Sequence, residues 1–267
     1  MPTGIDHIVI AVRNLAQATE DYTRAGFTVI EGGEHKDGVT HNALVAFADG
    51  AYFELIAFRN PEQEQDHKWW HRLAQGEGLI DYALRTGDLG KEVHGLRDRG
   101  LDASDPVDGG RFRPDGQRLD WQTIRFDGAS SPALPFYCFD LTERQLRVPG
   151  GDATNHANGV TGVAGVTVTV SDMAAVGPQF EKLTDQQGES VLEAFPDAEA
   201  AQRFRIGNAW IQVVQPTIHP SDLRLQLELR GDSLFSVSLN TSREDERSIP
   251  IVLAHGARLL QVPESRS

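Results

Sequence analysis

His7 and Glu54 are the residues of this sequence whose types and placement offer chemistry most directly. An imidazole and a carboxylate brought together can ligate a divalent ion or exchange a proton. They lie in the phrases GIDHIVIAVRN, from Gly4, and AYFELIAF, from Ala51. Both phrases recur, as GVAGVTVTVSD from Gly162 and AWIQVVQP from Ala209. His7 matches Gly165, Glu54 matches Gln212, and each pair is 47 residues apart. One unit was duplicated with its hydrophobic frame intact, and the polar pair stands in only one copy.

Strand parity puts the pair on a common side. His7, Val9 and Ala11 alternate with Ile8, Ile10 and Val12, and Glu54 is out of phase with Phe53 and Leu55. A carboxylate placed inside needs a partner, because burying it alone is costly. Three readings stand open: a metal site, a metal-free acid/base pair, or a structural hydrogen-bonded pair.

Other side chains join as candidates. His41 and Asn42 open the third strand, where only one of them can point inward, as a rim group, a substrate-orienting group or a base. His156, in HANG, either stays solvated beside a turn or folds over the first cleft as ligand or base. His67 and His71 have helical spacing without an HExxH signature and read as a surface pair on an amphipathic helix anchored by Trp69 or Trp70. Trp121 and Phe136 read as core residues or as the apolar wall of a cleft. Arg125 and Arg113 read as surface ion pairs or as partners for a substrate carboxylate. Cys138, the only cysteine, sits in the apolar run LPFYCFD and reads as a buried small hydrophobe.

The elements that must position these groups follow from pattern. Ile5 to Val12 is a predicted strand, Asn14 the cap of a helix to about Arg24, and Phe27 to Glu31 a second strand. A Gly-rich loop from Gly32 to Thr40 leads to strands from His41 to Ala48 and from Ala51 to Phe58, joined by Asp49-Gly50. Residues 162–216 repeat this β-α-β-β-β order, with Asp172 as the helix cap. A weaker copy begins with GLIDYALRT at Gly78, placing Asp81 in the His7 slot, Asp88 as helix cap and Phe136 in the Glu54 slot. A shortened copy begins near Gly231 with Leu234 in that first slot. The predicted fold class is α+β: four tandem βαβββ units in two pairs, the last truncated. The expected domains are residues 1–143, carrying the site, a linker at 144–161, and a degenerate pair at 162–267. A lone four-stranded sheet leaves one face apolar and wet, so units are expected to pair around a cleft.

Bulk properties bound the partners. The net charge of −14, with scattered basic residues, argues against nucleic acid. No apolar run is long enough to span a bilayer and no signal segment opens the chain, so a cytoplasmic protein without membrane contact is expected. A small-molecule substrate and a monomer or homodimer complete the expectation.

Tandem βαβββ units that open on a D-H-x-x-x-x-V strand, with the phrases GIDHIVIAV, THNALVAF, GAYFELIAF and HANGV, resemble the glyoxalase-like branch of the vicinal-oxygen-chelate superfamily. That superfamily also includes extradiol dioxygenases and bleomycin-resistance proteins. The resemblance implies a metal held by the first and last strands of paired units, which here are the slots of His7, Glu54, Asp81 and Phe136. Asp81 stands where a histidine is usual and Phe136 offers no ligand, which leaves His7, Glu54 and Asp81 to hold Fe, Mn, Ni or Zn. The resemblance implies an isomerase or lyase whose metal binds two vicinal substrate oxygens and stabilises an enediolate-like oxyanion, with His41, His156 or Glu54 moving protons. Ring-cleaving dioxygenase chemistry is less expected, because only one histidine fills a slot. The alternative is a metal-free cleft that sequesters an aromatic or hydrophobic compound, as the bleomycin-resistance proteins do.

Overall fold

The structure is a computed structural model that describes residues 1–36 and 38–264; Asp37, in the expected Gly-rich loop, lies outside the described residues. The first unit comprises β1 (Gly4–Ala11), α1 (Leu15–Arg24), β2 (Ile30–His35), β3 (Thr40–Ala46) and β4 (Tyr52–Phe58). After α2 (Trp70–Ala74) the second unit follows as β5 (Gly78–Arg85), α3 (Leu89–Asp98), β6 (Val107–Phe112), β7 (Arg118–Ile124) and β8 (Phe136–Asp140). These eight strands close into a barrel in the order β1-β4-β3-β2-β6-β7-β8-β5. The cap residues act as their types predict. The Asn14 side chain accepts from Gln17 N, and the Asp88 side chain accepts from Lys91 N.

The connection carries α4 (Arg144–Arg147) and a 3-10 turn (Gly151–Thr154). The second half runs β9 (Val160–Thr169), α5 (Met173–Thr184), β10 (Glu189–Ser190), β11 (Ala198–Ile206), β12 (Ala209–Pro216), α6 (Asp222–Arg230), β13 (Ser233–Thr241), β14 (Arg247–Ser248) and β15 (Leu259–Pro263). Its strands form an open seven-stranded sheet, β10-β11-β12-β9-β13-β15-β14. Among the described residues the last unit has no helix after β13, and its short strands leave this sheet unclosed. No helix among the described residues is long and apolar enough to cross a membrane.

Alternation along the strands sorts the side chains. Ile8, Ile10, Phe53, Leu55, Tyr82 and Leu84 point outward to a core shared with Val166, Val168, Ile211 and Val237 of the second half. Val9, Ala11, Ile56, Ala83, Phe136 and Cys138 point into the barrel. The two copies of the duplicated unit also share a register: β1 pairs β4 with His7 opposite Tyr52, and β9 pairs β12 with Gly165 opposite Trp210.

Four local expectations change. Half of the predicted Gly-rich loop is strand, because β2 continues to His35 by pairing with β3 and β6. β6, which its glycines and charges hid, completes the barrel wall against β7. α2 starts only at Trp70, so His67 and His71 do not share a helix; the His67 ring instead packs edge-on against Phe58, with centroids 5.3 Å apart. The expected linker contributes two arginines, Arg144 and Arg147, to the barrel.

Candidate functional site

The site begins at a β-bulge. The pairing of β1 with β5 slips between Ile5 and His7, leaving Asp6 as the extra residue with its side chain fully buried. Asp6 Oδ1 lies 2.7 Å from His7 Nδ1. Arg147 donates to both Asp6 oxygens at 3.0 and 3.2 Å, and Arg144 donates to Oδ2 at 2.6 Å. Burial pushes the Asp6 carboxyl up, but the Arg147 charge, the His7 hydrogen bond and the Arg144 charge outweigh it and hold it well below the usual carboxylate range. An ionised Asp6 can only accept, so His7 Nδ1 carries the hydrogen and its Nε2 is turned toward the cavity. The imidazole is fixed by its neighbours: Tyr52 stacks on it at 4.7 Å, and Phe136 packs edge-on at 5.3 Å.

Glu54 faces that imidazole. Its Oε2 is 3.7 Å from His7 Nε2, its Oε1 is 3.3 Å from His35 Nε2, and Asn42 Nδ2 donates to Oε1 at 2.7 Å. Burial raises the Glu54 pKa, but the hydrogen bond and charge of His35, the His7 charge and the Asn42 hydrogen bond bring it down to about 2. The outer nitrogen of His35, Nδ1, is 2.7 Å from Thr40 Oγ1. A buried ionised carboxylate thus meets one imidazole nitrogen on each of its oxygens. Asn42 fits only because residue 32 is glycine: a Cβ on Gly32 would lie 2.0 Å from Asn42 Oδ1.

These groups line a cavity of about 490 Å³. Trp121, Phe136, Arg125 and Asn42, read from the sequence as pocket residues, line it together with His7 and Glu54. Three other sequence candidates are not brought to the pair. Asp81 is on β5, but its Oδ2 accepts from Trp69 Nε1 at 2.9 Å and from Arg125 at 3.3 Å, its Oδ1 accepts from Tyr82 N, and it lines a neighbouring pocket. His41 alternates with Thr40 and Asn42, which both line the cavity, so strand parity turns it away. His156 accepts from Thr28 N through Nδ1 at 3.0 Å and reaches Ala46 O through Nε2 at 3.0 Å, between the Phe27 and Phe47 rings. It ties the connection to the first unit.

The groups that sequence reasoning missed are His35, Asp6, Arg144 and Arg147. His35 was hidden in a segment read as loop; the only available signal was its alternation with Gly33 once β2 is extended. Asp6 was visible in the D-H dipeptide, but only the bulge turns it inward beside His7.

Two groups of side chains could hold a divalent ion. Asp6, His7 and Cys138 bring ligand-type atoms within 4.8 Å of one another. They make a poor site, because arginines occupy the Asp6 oxygens and burial pushes the Cys138 thiol up, keeping it protonated. His7 with Glu54 fits better. His7 Nε2 and a carboxylate oxygen face each other at 3.7 Å, and with the imidazole neutral both would offer lone pairs to a cation between them. His35 on the other oxygen extends the set to two imidazoles and a carboxylate.

A family model described as a glyoxalase-like domain matches residues 5–184. No curated protein matches the sequence. Among solved structures, a hypothetical protein from Staphylococcus aureus superposes with a TM-score of 0.73 at 16% identity, over 97% of this chain and 98% of that one. A variant of 4-hydroxymandelate synthase from Streptomyces coelicolor gives a TM-score of 0.61 at 13% identity, over 90% of this chain and 72% of that one. A fusion of a xylose isomerase-like TIM barrel with 4-hydroxyphenylpyruvate dioxygenase gives 0.52 at 12%, over 90% of this chain and 37% of that one. At these identities the likeness is one of fold.

Proposed function

The chain belongs to the glyoxalase-like domain family of the vicinal-oxygen-chelate superfamily, and on that premise we propose that it is a divalent-metal-dependent isomerase or lyase acting on a small molecule with two adjacent oxygens. The observation that carries the reading is the meeting of His7 Nε2 and His35 Nε2 with the two oxygens of the buried, ionised Glu54. His7, His35 and Glu54 would hold the ion; His35 takes the place that sequence reasoning gave to Asp81, whose oxygens are engaged elsewhere. When bound, the ion would supply Lewis-acid polarisation of substrate oxygens.

The remaining residues prepare the site. Asp6 fixes the His7 tautomer and is itself neutralised by Arg147 and Arg144, so the imidazole keeps one orientation. Asn42 holds Glu54 Oε1, and Thr40 holds His35. Trp121 and Phe136 provide apolar wall that limits water around the reacting oxygens. His41 and His156 lie outside the cavity lining and are not assigned proton transfer.

A second reading is a metal-free protein that sequesters an aromatic compound, favoured by Trp69, Trp121 and Phe136 around one 490 Å³ cavity. Elemental analysis of purified protein, with melting temperature measured with and without a chelator, separates the two. The enzyme reading expects a stoichiometric divalent ion and a melting point that falls on chelation. Absence of stoichiometric metal, with no stabilisation by added Mn, Fe, Ni or Zn, supports sequestration instead.

A further inference from the structure

The chain carries a net charge of −14, yet the cavity beside His7 and Glu54 is lined by an excess of cations. Lys36 and Asp108 lie exposed at the rim and offset each other. Arg147 is consumed by Asp6 and Asp140. Lys68, Arg111 and Arg125 remain, against the single inner carboxylate of Glu54.

Their pairing leaves a surplus. Lys68 Nζ and Arg125 Nη1 reach the same oxygen, Asp81 Oδ2, at 3.4 and 3.3 Å. Arg111 is buried, and its hydrogen bonds go to the carbonyls of Gly32 and Arg147, which carry no formal charge. Three cations therefore face two carboxylates, Glu54 and Asp81. Burial pulls the Arg111 guanidinium below its ordinary value, as expected of a cation short of compensation.

The surplus has a direction. The Arg125 guanidinium lies 4.2 Å and the Lys68 ammonium 4.8 Å from the centroid of the Phe136 ring. The same ring meets His7 edge-on at 5.3 Å. Phe136 thus spans the interval between the imidazole and the cations, with Trp69 and Trp121 as further flat walls.

We propose that this cavity takes a small carboxylic acid with a flat, apolar body, its carboxylate drawn to Arg125 and Lys68 and its opposite end set at His7, His35 and Glu54. An excess of cations over carboxylates suits an anion, and a guanidinium with an ammonium beside it suits a carboxylate. The inference rests on reading this cavity as the active site.

Benzoate and its neutral isostere benzamide test it, titrated into the full chain after chelator treatment and followed by tryptophan fluorescence, since Trp69 and Trp121 line the cavity. Benzoate is expected to quench saturably and to bind at least about tenfold tighter than benzamide. Arg125→Met and Lys68→Met are each expected to weaken benzoate without changing benzamide, while Arg125→Lys retains most of the preference. Asp81→Asn is expected to tighten benzoate, because it removes the carboxylate that competes for both cations. Equal binding of benzoate and benzamide, or benzoate binding indifferent to both methionine variants, overturns the proposal. Metal uptake is measured separately. Benzoate preference in a protein that takes up no divalent ion refutes the metal reading and leaves this one standing, whereas metal uptake without benzoate preference does the reverse.

Discussion

Asp6 Oδ1 lies 2.7 Å from His7 Nδ1, and this contact decides which nitrogen His7 offers to the cavity. The two residues are adjacent in sequence and would point to opposite faces of a regular strand; the bulge between Ile5 and His7 turns them to one side.

Asp6→Asn replaces an ionised acceptor by an amide and frees the tautomer. Metal affinity is expected to fall by about 10- to 100-fold. The same change leaves the buried Arg147 without its main counter-charge, so stability is expected to fall by about 3–5 kcal/mol. Calorimetric metal titration and chemical denaturation read the two effects separately. An Asp6→Asn protein that binds metal as tightly as wild type would refute the orienting role.

His35 and Asp81 are competing third ligands, and a pair of variants separates them. His35→Ala is expected to weaken metal binding by at least about tenfold. Asp81→Asn is expected to leave it within about twofold of wild type, because its oxygens are held by Trp69, Arg125 and Tyr82 N. The reverse ranking in a metal titration would return the site to the slots of the duplicated unit.

Glu54 makes stability depend on acid pH. Its folded-state pKa, about 2, lies below the ordinary 4.5, so the stabilisation of its ionised form is complete above about pH 4.5. It is lost as pH falls from there through about 2, and is worth at most about 3 kcal/mol. The stability difference between wild type and Glu54→Gln, measured by denaturation from pH 7 to pH 2.5, is expected to narrow across that window. A constant difference would show that Glu54 is not held ionised.

Gly165 shows what the second copy gave up. A Cβ there would lie 2.1 Å from the Trp210 ring, which fills the space that His7 occupies over Tyr52 in the first copy. Gly165→Ala is expected to destabilise the protein by about 1–3 kcal/mol. Combining it with Trp210→Ala is expected to recover part of that loss, because the clash partner is gone; strictly additive losses in denaturation experiments would argue against the clash.

The amino-acid sequence determined the frame. Alternating apolar residues set β1, β4, β9 and β12, the side-chain caps Asn14, Asp88 and Asp172 started three helices, and the equal spacing of His7–Glu54 and Gly165–Gln212 pointed to the unit that bears the candidate site. These signals are local, and strand periodicity and capping depend on neighbours a few residues away. Only the tertiary structure decided the membership of the site. His35 reaches Glu54 because β2 is held between β3 and β6, and Arg147 reaches Asp6 across 141 residues of chain. Asp81 has the right slot and the wrong neighbours, since Trp69 and two cations claim its Oδ2 and Tyr82 N its Oδ1. Ligand-like geometry depends on which strands close the barrel and where a bulge turns a side chain, and no local pattern encodes either.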